Sequence, residues 1–328
     1  MTTDSMPRAE LKENRKAGEP ETISILAGDG FTIRGSMWRS PGPDSADRPV
    51  VIINAANSVR CRYYSRFASF LFRNGFDVIT YDYRGIGVSR PATLRGFDAG
   101  WIDWGERDFD AVIRFARDTF PGRPIDVAAH SVGGFLIGFA ESSRLVRRIF
   151  TMGAQYAYWR DYAPGKRAGM FAKWHVAMPL LTLLFGYFPG KRLGWLEDTP
   201  RSIVRDWARS RPRFEDVPGG SWAARYPDKR VFLDRFEAVT APTLAVSVSD
   251  DEFGTIPAVE RLLSYYTGSR RTHLRIPPGS IGEPSIGHFP FFSGKFEEKL
   301  WRIPLEWLKS GKIAEDWPGE IITPECRG

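Results

Sequence analysis

The chain of 328 residues is 42% hydrophobic and 26% charged, which is the composition of a globular protein with a sizeable core. No run reaches the roughly 18 apolar residues of a membrane span, and the first twenty residues lack the apolar stretch of a signal peptide. The two cysteines, Cys61 and Cys326, have no metal-ligand spacing and form no disulfide framework. We therefore expect a cytoplasmic protein with no metal and no cofactor.

The formal net charge of +7 comes from one segment. Residues 156–235 contain 15 Lys and Arg against 8 Asp and Glu, whereas the rest of the chain is balanced at 31 against 31. The bases are scattered among prolines and apolar runs and belong to no recognised nucleic-acid motif, so we expect no nucleic-acid partner. A weak contact of this basic segment with anionic lipid or a membrane surface stays open, as does the oligomeric state.

From about residue 23 onward, apolar strand-like runs alternate with amphipathic stretches, which predicts an α/β fold with a mainly parallel central sheet flanked by helices. A first hairpin turns at Asp29-Gly30. Buried strands are predicted in PVVIINAAN, FDVITYDYRGIGVS, PIDVAAHS and RRIFTMGA. Helices are predicted in YYSRFASFLFRNG and WGERDFDAVIRFARDTF.

The alternation stops after the sixth strand and resumes with the strand APTLAVSVSDD, the helix AVERLLSYYTG and the strand THLRIPP. A last helix is predicted to span roughly KFEEKLWRIPLEWLKS, allowing for disruption at Pro304. The interruption is rich in Trp, Pro and Arg, and we interpret it as a cap inserted into one sheet domain. The predicted divisions are a disordered tail (1–20), the first part of the core (21–154), the cap (155–236), the second part of the core (237–311) and a C-terminal tail (312–328).

The stretch DVAAHSVGGFL places Ser131 between Ala129 and Gly133, with Gly134 directly after. Strand-forming residues precede it and a helix-forming run follows, so the serine lies at a sharp strand-to-helix turn. Neighbours two positions away must be small there, which is the nucleophile elbow G-x-S-x-G with Ala129 in the first glycine's place. The alternative interpretation is a glycine-rich turn that holds a serine by chance.

A serine hydroxyl needs a base to take its proton, and that imidazole needs a carboxylate to fix its tautomer. The sequence supplies Ser131, an aspartate in TLAVSVSDD and His288 in SIGHFPFF, in that order. Each follows a predicted strand or lies in a loop, so we expect all three at one edge of the sheet.

At these residues the sequence resembles the α/β-hydrolase fold serine hydrolases, over roughly residues 23–310. AHSVGG, YDYRGIGVS and SDDEFGTIP followed by GHFPFF carry the resemblance. The chain looks closest to bacterial predicted hydrolases of unassigned substrate, so the resemblance implies a fold and a chemistry but no named reaction. The family pattern places the acid three residues after the position of Val248, which favours Asp251 over Asp250.

The resemblance also favours His288 as the base over three other histidines. His273 lies inside a strand, His130 is the elbow's x position with a side chain expected to point away from the nucleophile, and His175 belongs to the cap. The loop YDYRGIGVS contains Asp82 and Arg84, which we expect to brace it rather than to catalyse.

An oxyanion hole needs two backbone N–H groups aimed at the developing negative oxygen. The resemblance implies that Val132, directly after the nucleophile, supplies one of them. The other comes from the loop after VVIIN, where the family commonly has His-Gly and this chain has Asn54-Ala55. Ala56 is therefore the expected donor, with Asn57 as the alternative.

These residues predict a serine hydrolase that acts through an acyl-enzyme, of the carboxylesterase or lipase type, on small to medium acyl esters. An acyltransferase, a thioesterase or a peptidase would use the same triad, and a catalytically silent binding protein would keep the same fold. A serine at the elbow excludes the aspartate-nucleophile mechanisms of epoxide and haloalkane hydrolysis.

The cap run VAMPLLTLLFGYF is the sequence's one indication of substrate. Pro179 limits it to a broken helix too short to span a bilayer, and its simplest interpretation is the cap's own core. The alternative is that part of it faces the pocket and takes an acyl chain, through Leu180, Leu183, Leu184 and Phe185. Bases that could meet an anionic head group flank the run, namely Lys166, Arg167, Lys191 and Arg192.

Overall fold

The computed structural model of the chain describes residues 18–41, 47–217 and 225–323. The predicted tail 1–20 lies outside these ranges except for its last three residues, and the first strand begins at Glu21.

Within the described ranges, nine strands form one sheet in the order β1-β2-β4-β3-β5-β6-β7-β8-β9. In chain order they are β1 (Glu21–Leu26), β2 (Thr32–Trp38), β3 (Val50–Asn54), β4 (Asp77–Asp82), β5 (Ile125–His130), β6 (Val146–Met152), β7 (Thr243–Val248), β8 (Arg271–Ile276) and β9 (Glu320–Ile322). The neighbours from β4 to β8 pair in parallel, while β1, β2 and β9 pair antiparallel at the two edges. Every residue of β3, β4, β5 and β7 is buried, as expected for parallel strands covered on both faces.

The helices lie between the strands and cover the sheet. They are α1 (Ser65–Arg73), α2 (Trp101–Asp103), α3 (Asp110–Thr119), α4 (Val132–Leu136), α5 (Arg167–Phe171), α6 (Met178–Phe185), α7 (Gly190–Leu193), α8 (Arg201–Ala208), α9 (Arg230–Glu237), α10 (Ile256–Leu263), α11 (Glu297–Leu300) and α12 (Arg302–Ser310). Two π-helical segments of six residues each join α2 to α3 and α5 to α6, namely Trp104–Phe109 and Ala172–Ala177. The amphipathic face of α1 buries Phe67, Ala68 and Leu71.

Two sequence predictions at the C-terminus are wrong. The predicted tail 312–328 contains β9, which pairs antiparallel with β8 and extends the sheet by one strand. The last helix breaks at Trp301, between α11 and α12, and Pro304 lies within the first turn of α12. A proline is tolerated in a helix's first turn because the N–H groups there have no intrahelical partner.

Between β6 and β7 the chain carries α5 to α9. The residues from 155 to 217, with α5 to α8, are called the insertion below. Helix α9 packs instead on the core, where Phe232 and Phe236 contact the ring of Phe139. The predicted cap boundary at residue 236 falls inside α9, so the predicted cap includes residues 230–236, which pack on the core.

The helix from Arg167 to Phe185 is continuous through the π turn, so Pro179 does not break it. By length and composition alone this 19-residue helix could cross a membrane, which corrects the sequence expectation that no segment reaches that length. A single helix of this kind is weak evidence for a membrane span, and 22% of its most apolar stretch is buried inside the protein.

Candidate active site

Ser131 directly follows β5 in a strained backbone conformation, with φ 54° and ψ −127°. Its N–H donates to the carbonyl of Met152 at the end of β6 over 3.0 Å, and helix α4 begins at the next residue. A Cβ on Gly133 would lie 2.6 Å from the carbonyl oxygen of Asn54, and one on Gly134 would lie 2.6 Å from Cβ of Ala154. The small residues that the sequence places around Ser131 are therefore required by close packing of the turn on its neighbours.

The carboxylate of Asp251 and the imidazole of His288 form a buried pair, with Nδ1 of His288 2.7 Å from Oδ2 of Asp251. The other carboxylate oxygen accepts N–H groups from Phe253 over 2.7 Å and Gly254 over 2.8 Å. Burial by itself would raise the pKa of Asp251, but the charge and hydrogen bond of His288 and the two amides outweigh burial and lower it. The carboxylate stays ionised and holds the proton of His288 on Nδ1, which leaves Nε2 free to accept one.

Two glycines make room for this pair. Gly153 follows β6 with φ +56°, and a Cβ there would lie 2.8 Å from Oδ2 of Asp251 and 3.1 Å from Nδ1 of His288. A Cβ on Gly254 would lie 2.5 Å from the same carboxylate oxygen. Neither glycine was singled out by sequence reasoning, since their role depends on which loops meet.

Asp250 fixes the loop that carries His288. Its carboxylate accepts the Ser285 hydroxyl over 2.8 Å, the N–H of Ile286 over 2.8 Å and the N–H of Gly287 over 3.1 Å. The adjacent aspartates thus have separate partners: Asp251 contacts the imidazole and Asp250 contacts the backbone before it.

His130 lies in a buried hydrogen-bonded chain that joins the elbow to two other loops. Its Nε2 lies 2.9 Å from the carbonyl of His288, and its Nδ1 lies 2.7 Å from the hydroxyl of Tyr64. Since a carbonyl only accepts, Nε2 carries the proton and Nδ1 accepts from Tyr64. Burial, and then the nearby charge of His288, lower the pKa of His130 well below its usual value, so the ring is neutral.

The same series of hydrogen bonds contradicts the prediction that the N–H of Ala56 is a donor of the oxyanion hole. The N–H of Ala56 donates to the Tyr64 hydroxyl over 2.9 Å, so it already has a partner inside the protein. Asn57, the alternative donor, lies on the cavity wall beside Val132, and its side-chain oxygen accepts from Nε1 of Trp101 over 2.9 Å.

Ser131 and His288 line one cavity of about 670 Å³, which is partly open to solvent. Six of the sixteen residues that line it are Trp or Phe, contributed both by the core and by the insertion. The aromatic residues are Trp101, Trp174, Trp195, Trp207, Phe253 and Phe289. The charged groups on the wall are Lys173 and Glu252.

Sequence reasoning missed this wall and also Gln155, which is the nearest polar neighbour of the serine. Nε2 of Gln155 donates a long hydrogen bond of 3.4 Å to Oγ of Ser131. In the described part of the chain, no hydrogen bond joins Ser131 to His288, and the serine oxygen accepts from Gln155 instead. Hydrogen bonds between a nucleophile and its base often tighten only when substrate binds.

The apolar residues predicted to face the pocket do not line it. Leu180, Leu183 and Leu184 are 57%, 69% and 77% exposed, and Phe185 is partly buried beside the guanidinium of Arg192. The reason is that Met170, Trp174, Met178 and Thr182 occupy the buried side of the same helix. This prediction is therefore wrong.

The flanking bases lie elsewhere too. Lys191 pairs with Glu197 over 3.1 Å, and none of the four predicted bases lines the cavity. Lys173 is the base on its wall, with Nζ 4.5 Å from the ring centres of both Trp174 and Trp195.

The remaining sequence predictions concern structural side chains: Asp82 accepts N–H groups of Cys61 and Val88, and the Nε of Arg84 lies 2.6 Å from Asp108.

The other two histidines lie outside the cavity wall. His273 contacts Ser247 and Glu260, and His175 contacts Tyr162 and the carbonyl of Ala208. Within the described ranges, no group of three or more His, Cys, Asp or Glu is arranged to hold a metal ion.

Solved structures with the same fold extend over most of the chain. An esterase from Pyrococcus furiosus matches at a TM-score of 0.55 and 14% identity, over 93% of this chain and 98% of that one. The α/β hydrolase GrgF from a Penicillium species matches at 0.56 and 16%, over 89% and 98%. An acylaminoacyl peptidase from Pyrococcus horikoshii matches at 0.55 and 13%, over 90% of this chain and 43% of that one.

The molecule is therefore an α/β-hydrolase-fold protein, and the predicted fold class is confirmed. Residues 45–209 match the model of the family described as serine aminopeptidase, S33, which covers half of the chain. The chain belongs to this family of α/β hydrolases. No curated protein is similar enough in sequence to match.

Proposed function

We propose that this hydrolase cleaves carboxylic esters of small to medium acyl groups through an acyl-enzyme on Ser131. The Ser131 hydroxyl attacks the ester carbonyl and His288 Nε2 takes its proton. The same proton passes to the departing alkoxide as the carbon–oxygen bond breaks. Water then attacks the acyl-serine and loses a proton to His288, which passes it to Oγ of Ser131 as the acyl carbon–oxygen bond breaks, releasing the acid and the free serine.

One observation carries this proposal: His288, which contacts Asp251 over 2.7 Å, lines the same cavity as the strained Ser131. Strain at a non-glycine residue is retained where it serves a function. The arrangement has an acid, a base and a nucleophile in the roles that acyl transfer needs.

For the oxyanion we propose the backbone N–H groups of Val132 and Asn57. Ala56 is replaced because its N–H is bonded to Tyr64. The hydrogen bond from Nε1 of Trp101 to the side chain of Asn57 supports a fixed position for the loop that contains Asn57. Preorganised donors of this kind stabilise the developing charge without moving during the reaction.

The acyl group is proposed to lie against the tryptophans, because an aromatic wall favours apolar groups of limited size. A peptidase, a thioesterase and an acyltransferase would use the same three side chains, so the choice among them depends on the leaving group and the acceptor.

The test combines an active-site label with a substrate panel. We expect a fluorophosphonate probe to label the protein, and p-nitrophenyl esters to be hydrolysed faster than matched acyl thioesters or aminoacyl p-nitroanilides. Ser131→Ala should abolish labelling and lower ester kcat/KM by about three or more orders of magnitude, with little change in Tm because the group removed is small.

Ser280→Ala, which alters an exposed serine that bonds only to Pro277, is the matched control and should keep both signals. Labelling of Ser131→Ala at the wild-type level would refute the nucleophile. A fully folded, unlabelled wild type would favour a silent binding protein, and faster cleavage of the anilides would move the assignment to a peptidase.

A further inference from the structure

The helix from Arg167 to Phe185 has one buried face and one face that is exposed to solvent. On one side Met170, Trp174, Met178 and Thr182 are buried, and Trp174 reaches the catalytic cavity. The opposite side leaves large apolar side chains in solvent. They are Val176, Leu180, Leu183 and Leu184, exposed by 44%, 57%, 69% and 77%.

A row of arginines runs beside this apolar side. Arg201, Arg205 and Arg209 follow one another at helical spacing along α8 and its C-terminus, and they share a groove of about 640 Å³ with Leu180 and Leu183. None of the three lies within ion-pair distance of a carboxylate among the residues that the structure describes. The helix from 167 to 185 itself contains no Asp or Glu.

We propose that this docking face, made of Val176, Leu180, Leu183, Leu184, Arg201, Arg205 and Arg209, binds the surface of a bilayer that contains anionic phospholipid. Leucines would enter the boundary between head groups and acyl chains, and the arginines would meet lipid phosphates. Charge complementarity selects this occupant, because an apolar row beside arginines that pair with no carboxylate of the described residues matches an anionic interface better than an uncharged partner.

The helix lies on the membrane rather than across it. Crossing would pull Trp174 and Met178 out of the protein and expose the cavity wall that Trp174 forms. Docking by the opposite side leaves these contacts intact and brings the catalytic cavity close to the lipid surface. This inference does not depend on the proposed hydrolysis, since binding is measured without substrate.

The test is flotation of the full-length protein with phosphatidylcholine vesicles, with and without about 30% phosphatidylglycerol, at about 50 and 500 mM NaCl. Wild type should float only with the anionic vesicles and at low salt. Leu183→Ser with Leu184→Ser, and separately Arg201→Gln with Arg209→Gln, should each lower the partition coefficient at least tenfold. All four side chains are exposed, so we expect unchanged Tm values.

Leu26→Ser and Arg144→Gln are the matched controls, because Leu26 is 71% exposed on an edge strand and Arg144 is exposed away from α6. Equal flotation of wild type and both double variants would overturn the proposal, as would no binding to anionic vesicles. A dimer that the leucine variant dissociates, without vesicle binding, would assign the face to a second copy. Protein that resists alkaline carbonate extraction would indicate a spanning helix instead.

Discussion

The ring Nε2 of His130 donates to the backbone carbonyl of His288 over 2.9 Å, so the residue before Ser131 holds the loop that carries His288. His130 also accepts from Tyr64, which in turn accepts the N–H of Ala56. Three loops at the carboxyl edge of the sheet are thereby joined through one neutral imidazole. Protonation of that imidazole would turn Nδ1 into a donor facing the Tyr64 hydroxyl in a buried site.

This contact makes stability depend on pH in a definite direction. The pKa of His130 is lowered in the folded protein, so the unfolded chain binds a proton that the folded chain resists. Its contribution is constant above the unfolded pKa of about 6.5 and is lost progressively as pH falls below that value. Tm should therefore fall as pH is lowered from about 6.5 to 5, and His130→Asn should lower Tm at neutral pH while flattening that slope.

Tyr64→Phe is the matched control. It removes both hydrogen bonds of the Tyr64 hydroxyl, to His130 and from Ala56, but leaves His130 able to titrate, so Tm should drop and the pH slope should remain. An unchanged slope in His130→Asn, measured by thermal unfolding across the same range, would show that another group carries the pH dependence.

Substitution of the two adjacent aspartates should change kcat to very different extents. Asp251→Asn keeps the size of the side chain but no longer fixes the tautomer of His288, so kcat should fall by about three to four orders of magnitude. Asp250→Asn weakens the hydrogen bonds that this side chain accepts from residues 285–287. The change should lower the free energy of unfolding by about 1–3 kcal/mol and kcat by less than about tenfold. The reverse ranking of the two kcat values would place the acid at Asp250.

Gly153 sets how closely the acid and base can sit. Gly153→Ala would place a Cβ 2.8 Å from Asp251 and 3.1 Å from His288 at φ +56°, so the pair must shift. We expect about a hundredfold loss of kcat, since displacements of this size disrupt catalytic geometry. Gly169→Ala, in open space on α5, is the control and should leave kcat unchanged. Wild-type kcat in Gly153→Ala would mean that the pair tolerates the displacement.

The buried strands and the turn at Ser131 could be predicted because each depends on the side chains of one short stretch of sequence. Continuous apolar runs became the buried parallel strands, and the small residues around Ser131 became the strained elbow. Strand β9 was not predicted because three residues are too few to show an alternation of apolar and polar side chains. Its partner, β8, also lies far from it in the sequence. Ala56 was misassigned because the partner of its N–H, Tyr64, lies on another element and nothing local indicates it.

The orientation of α6 could not be read from its residues for a different reason. Met178 to Phe185 are apolar all round except Thr182, so periodicity gives no preferred face. Thr182 is buried, because its hydroxyl donates to the carbonyl of Met178 and needs no water. Tertiary packing of Trp174 and Met178 on the insertion decides which side faces solvent.

Lys173 should decide whether the cavity prefers acyl groups that end in a carboxylate. Its ammonium lies over Trp174 and Trp195 with no carboxylate within ion-pair distance in the described chain, although Glu252 lines the same cavity. A substrate carboxylate would supply a charged partner, and hydrogen bonds to charged groups contribute about 1.5–3 kcal/mol. We expect Lys173→Met to lower kcat/KM for mono-p-nitrophenyl adipate roughly 10- to 100-fold more than for p-nitrophenyl hexanoate, which has the same chain length. Lys191→Met, outside the cavity and paired with Glu197, should not discriminate. Equal losses on both esters would show that Lys173 acts only by packing on the two rings, because removing packing affects the charged and the neutral acyl chain alike.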